Sequence, residues 1–116
     1  MLTEQDYKRA LHVVHRREEA FRLALLRTQY AMPDHAIATS ELAHRLGVPI
    51  STINLAYGKL GHDFADVLNF RPPAPNRANK PEWWRVLSSG WSGPQGFVWT
   101  MHMALAQALA EAHLVE

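Results

Sequence analysis

A mainly α-helical domain with a small antiparallel β-hairpin is the fold class that these 116 residues predict. Three observations carry the expectation. Residues 4–31 hold no proline or glycine and repeat apolar side chains at helical spacing. Residues 39–61 read as two helices around a glycine turn. Residues 83–101 are rich in aromatic and β-branched side chains, and a helical run follows them.

The first element is a long N-terminal helix within residues 1–32. Tyr7, Leu11, Val14, Phe21 and Leu25 recur at three- and four-residue steps with one seven-residue gap, which marks one helix face. Thr3 is the expected N-cap, with Asp6 as its capping-box partner. Pro33 ends the pattern. About 28 residues would make a helix of roughly 40 Å. Glu18 interrupts the stripe, which argues against a coiled coil.

Residues 33–116 are expected to complete a single domain. His35–Ala38 suit a very short strand. Thr39 and Ser40 are N-cap candidates for a helix that Gly47 ends. Ser51 is the expected cap of the next helix, Thr52 to Gly61, with a further helical stretch to Phe70. Four prolines make residues 71–82 an extended loop. Trp83–Leu87 and Phe97–Met101 are the expected strands, with Ser88–Gly96 as a long hairpin loop. From His102 to Leu114, Leu105, Ala108, Leu109 and Ala112 share one face of a closing helix.

The most informative spacing is Leu42, Ala43, Leu46, Gly47, Val48, Pro49, Ser51, Ile53 and Ala56. Leu42 and Leu46 face a core from the first helix. Ala43 is small enough to let the second helix cross close by. Gly47 supplies the turn, Val48 fills the corner, and Ile53 and Ala56 pack the second helix back. This is a helix-turn-helix pattern. A short strand before it and a hairpin after it make the winged-helix order. Asn54–Gly61, Trp83–Leu87 and Gly96–Met101 extend the likeness. Over residues 38–113 the chain resembles a small bacterial winged helix-turn-helix module, found alone or beside restriction-type and other DNA-processing domains. The resemblance implies binding to double-stranded DNA, or attachment to a DNA-processing machine, without catalysis.

In a helix-turn-helix reader the second helix enters the major groove and its N-terminal residues meet base edges. Ser51, Thr52, Asn54 and Tyr57 are the candidates here, with Lys59 for a phosphate. Asn pairs bidentately with adenine, and Ser or Thr serve several bases. Against this, Ser51 suits a plain cap, Thr52 suits solvent, Asn54 suits a local hydrogen bond, and Tyr57 suits packing under the hairpin. Ile50 and Leu55 stand where polar residues are usual, and with Trp91 they are candidates for a protein interface. Charge is mixed. Residues 32–70 hold Arg45 and Lys59 against Asp34, Glu41, Asp63 and Asp66, with the two aspartates read as a solvated face. The cations lie elsewhere. Arg71, Arg77, Lys80 and Arg85 face only Glu82 in residues 71–85, and are candidate phosphate contacts. Lys8, Arg9, Arg16, Arg17, Arg22 and Arg27 outnumber Glu4, Asp6, Glu18 and Glu19 on the first helix.

Trp84 and Trp99 are expected to stack across the hairpin, with Trp83 half exposed. Trp91 lies in the expected loop, where an aromatic can wedge into a minor groove or anchor a protein. His12, His15 and Glu19 offer at best an open, incomplete metal site, so no metal or other cofactor is assigned. The chain has no cysteine, which removes disulfides and thiolate chemistry. No GxSxG, Walker or GxGxxG motif is present, so no catalytic residue is assigned.

The expected protein is a non-catalytic, regulatory DNA-binding winged helix of a prokaryote or phage. A homodimer through the first helix would place two reading helices on a palindrome. The alternative is a protein-binding winged helix, acting as an adaptor or inhibitor of a DNA-processing or defence enzyme. No apolar run approaches a membrane span. The start lacks a signal-peptide pattern, and a cytoplasmic location is expected.

Overall fold

Tertiary pairing reshapes the middle of the chain relative to what its composition suggests. The computed structural model describes residues 2–14, 19–71 and 82–115. Its elements are α1 (Glu4–Val14), α2 (Glu19–Tyr30), β1 (Ala36–Ala38), α3 (Thr39–Leu46), α4 (Ile50–Leu68), β2 (Ser88–Gly93), β3 (Gly96–Met101) and α5 (Met103–Glu111). Short 3-10 turns cover Pro33–His35 and Trp83–Val86.

The expected first helix is described as α1 and α2, and the join at residues 15–18 lies outside the described residues. Thr3 caps α1 reciprocally. Its N–H donates to Asp6 Oδ2 (2.9 Å) while the Asp6 N–H donates to Thr3 Oγ1 (3.2 Å). These bonds hold the Asp6 carboxyl below the ordinary aspartate range. Tyr7, Ala10 and Leu11 are buried, and α1 packs on α4 and α5. Tyr7 Oη reaches across the fold to donate to Val86 O (2.5 Å).

Two caps differ from the sequence expectation. Ala38, not Thr39 or Ser40, is the N-cap of α3, and Thr39 is its first residue. Pro49, not Ser51, is the N-cap of α4, and no side chain caps that helix. Gly47 does end α3, at φ 67° and ψ 34°, the left-handed conformation glycine adopts without strain. The Val48 N–H closes the turn on Ala43 O (3.1 Å).

The second helix is also longer than expected. α4 runs unbroken for 19 residues through Gly58 and Gly61, and Asn69 ends it in the left-handed region. Gly61 is there for closeness, not for a turn. A Cβ on it would stand 2.1 Å from Trp83 O, so only glycine lets the Trp83–Val86 turn lie on α4.

The hairpin is the largest correction. Trp83–Val86 is a 3-10 turn rather than a strand, and residues 88–93 form β2 rather than a loop. Adjacent tryptophans explain the turn, because its curl lets both pack inward. Trp83 meets His62 of α4 edge-on, and Trp84 meets Phe97 of β3 edge-on. Ser-Ser-Gly-Trp-Ser-Gly has little intrinsic strand preference, and pairing along all of β3 overrides that. The true turn is Pro94-Gln95, between the paired Gly93 and Gly96. β1 joins the other side of β3, giving a three-stranded antiparallel sheet in the order β1-β3-β2.

Strand alternation assigns the faces. Ile37, Trp99 and Gly90 are in register, and Ile37, Trp99 and Met101 turn their side chains into the core. The opposite face carries Ala36, Val98, Thr100 and Trp91. No helix among the described residues is long and apolar enough to cross a membrane.

Candidate nucleic-acid interface

α3, the connection Gly47–Pro49 and α4 form the scaffold of the site. Leu42, Ala43 and Ile53 are buried, while Leu46, Val48 and Ala56 pack half-buried around them. The spacing expected to lock two helices together therefore does so. Ser40 Oγ donates to Gln95 O (3.3 Å), which ties the first turn of α3 to the hairpin turn.

The helix period sorts the residues of α4. Ile53, Tyr57, Leu60 and Phe64 form its buried stripe. At about 100° per residue, Leu55 lies roughly opposite that stripe, flanked by Ser51, Thr52 and Lys59. All four are exposed, Leu55 at 74%. No ion pair joins Lys59 to any described residue. No side chain caps α4, whose Thr52 and Ile53 N–H groups both donate to Pro49 O (3.0 and 3.3 Å), so the Ile50 and Ser51 N–H groups mark the positive end of its dipole.

Asn54 is exposed but points to one side of this face. It lines a groove of about 390 Å³ with Thr39, Glu82, Trp84, Phe97 and Trp99. The Glu82 carboxylate of that groove is paired with Arg85 (3.0 Å).

Tyr57 does not belong to the surface. It is 0% exposed, so the expectation that it meets DNA is overturned. Its ring stacks on Trp99 with centroids 4.0 Å apart. Its hydroxyl donates to Gln29 Oε1 (2.6 Å) and shares a second bond with Ser88 Oγ (2.6 Å). Gln29 Nε2 in turn donates to Ser88 Oγ (3.0 Å) and Trp99 O (3.3 Å). Burial pushes the Tyr57 phenol well above its usual range, so it stays neutral and donates. The sequence gives no signal for this polar knot, because Gln29 looks like any surface glutamine of a helix.

Other candidates scatter. Arg71 is exposed at the end of a described stretch, and Arg77 and Lys80 lie outside the described residues. Arg85 is engaged internally. Its Nε donates to Glu82 Oε1 (3.0 Å) and its guanidinium sits 4.5 Å over the Trp84 ring. Trp91 is 52% exposed on β2, but on the sheet face turned away from the core and hence from α4. Ile50 is 44% exposed at the start of α4. Ile50, Leu55 and Trp91 therefore do not share one face. In the first part of the expected helix, Tyr7 and Leu11 are buried inside the chain, where α1 packs on α4 and α5.

Charge is likewise used internally. Arg22, one of the cations counted on the first helix, is 3% exposed, and its Nη2 holds Asp63 Oδ2 at 2.6 Å. Asp63 is thus not a solvated residue. His62, Asp63 and Asp66 bring potential metal-ligand atoms within 4.8 Å of one another, but Arg22 already occupies Asp63. His15 and the Glu19 side chain lie outside the described residues, so the His12/His15/Glu19 grouping does not bear on the site.

No family model, no curated protein and no solved structure matches this chain.

Proposed function

We propose that this chain is a non-catalytic, double-stranded-DNA-binding protein of winged-helix architecture, with α4 as the helix that enters the major groove. The element order supports the architecture: α2, β1, the α3–α4 pair, then β2 and β3, with β1 antiparallel to β3. The observation that carries the reading is the outer face of α4. Ser51, Thr52 and Lys59 stand opposite the buried stripe, at a helix start that no side chain caps. Such a start suits a phosphate, and the hydroxyls beside it suit base edges. Arg71, Arg77 and Lys80 follow α4 and add phosphate contacts in this reading.

The test is a duplex-binding titration of the intact chain and of Lys59→Ala over a range of salt. Lys59→Ala weakens binding equally across sequences and lowers the salt slope by about one. Unaltered binding by this variant would remove α4 from the phosphate path. A second reading, a protein partner in a DNA-processing or defence system, is favoured by the apolar side chains Ile50 and Leu55 on the same helix.

A further inference from the structure

We infer that Leu55 is the sequence-reading residue of α4 and that it reads the C5-methyl group of a thymine; this rests on the DNA reading above. Leu55 has the largest exposure among the exposed large apolar side chains of the described residues. Nothing inside the chain requires it, because it lies opposite the buried stripe. A leucine there has no partner on a phosphate backbone and no hydrogen bond to offer a base. On the major-groove edge of a base pair the apolar feature is the thymine methyl.

The surroundings fit such a contact. Ser51, one turn before Leu55, and Lys59, one turn after it, share its side of the helix. Gly58 lies beside Leu55 and has nothing within 4 Å of where a Cβ would stand. The site that α4 selects is therefore centred on an A·T pair, oriented so that the thymine faces Leu55.

Two experiments in series test this. Duplexes are first selected from a randomised pool with the intact chain. Each thymine of the selected duplex is then replaced singly by deoxyuridine, which removes only the methyl group. At one position the replacement weakens binding about fourfold, the worth of one buried carbon group. Leu55→Ala abolishes that difference between thymine and uracil, whereas Lys59→Ala weakens both duplexes and keeps their ratio. Leu55 is too exposed for its truncation to threaten folding. Salt-dependent binding with no sensitivity to any thymine methyl, or with no selected sequence, would overturn the inference and leave the DNA reading standing. Retention of the difference by Leu55→Ala would assign the methyl contact to another residue and overturn it too. Absence of duplex binding at low salt would overturn both and favour a protein partner for this face.

Discussion

Replacing Tyr57 by phenylalanine removes one oxygen from the centre of the molecule and leaves the ring in place. The hydroxyl makes two bonds of 2.6 Å, to Gln29 and Ser88, and Tyr57 and Ser88 are fully buried. After the change Ser88 Oγ keeps its bond from Gln29 Nε2, but Gln29 Oε1 loses the donor the structure gives it. A buried acceptor left without a partner costs about 1–3 kcal/mol, and the lost bond adds to that. The expected loss is about 2–3 kcal/mol. For a chain of this size that is a fall in Tm of roughly 10 °C. Urea unfolding followed by tryptophan fluorescence measures it directly, since Trp99 stacks on the Tyr57 ring. A loss below about 0.5 kcal/mol at unchanged m would refute the reasoning, because it would mean that water reaches the Gln29 amide. If the proposed duplex binding is observed, the folded variant keeps its salt slope, since Tyr57 is 0% exposed.

The other predictions use the same logic. Gly58→Ala stabilises the fold by about 0.5–1 kcal/mol, because it is helical with open space around it, whereas Gly61→Ala destabilises it by at least about 1 kcal/mol through the clash with Trp83 O; equal effects in thermal unfolding would contradict the close approach. Arg22→Met removes the 2.6 Å pair with Asp63 and lowers stability in urea unfolding by more than about 1 kcal/mol, and a smaller change would show the pair to be solvated. The depressed Asp6 carboxyl contributes stability that is present above the ordinary aspartate pKa and is lost as pH falls through its lowered folded value. Asp6→Asn abolishes that part of the acid dependence, and an unchanged acid limb would contradict the capping box.

Helix periodicity and the α3–α4 spacing were legible because each rests on local chemistry. Gly47 had to be left-handed, and Leu42, Ala43 and Ile53 had to pack together. Thr3 and Asp6 likewise showed their capping box in the sequence. What escaped reading depends on distant partners. Tyr57 could be read either as a groove contact or as packing under the hairpin, and its hydroxyl partners Gln29 and Ser88, on two other elements, were not legible. Asp63 looked like part of a solvated face because its partner Arg22 lies 41 residues away. Serines and glycines of residues 88–93 gave no strand signal, and β3 provided one by pairing. Consecutive tryptophans mimicked a strand at 83–87, although the close approach at Gly61 needs a tight turn there. Within the site, the spacing already set Ile53 inward and Leu55 outward, and they are 0% and 74% exposed.

The most direct test of the central claim is fluorescence anisotropy of the intact chain with a random-sequence DNA duplex, at about 50 and 200 mM salt. If α4 and the cations that follow it lie along the phosphates, the chain binds at the lower salt and loses more than about tenfold in affinity at the higher. No binding at the lower salt, or binding indifferent to salt, would contradict the account and turn attention to a protein partner for Ile50 and Leu55.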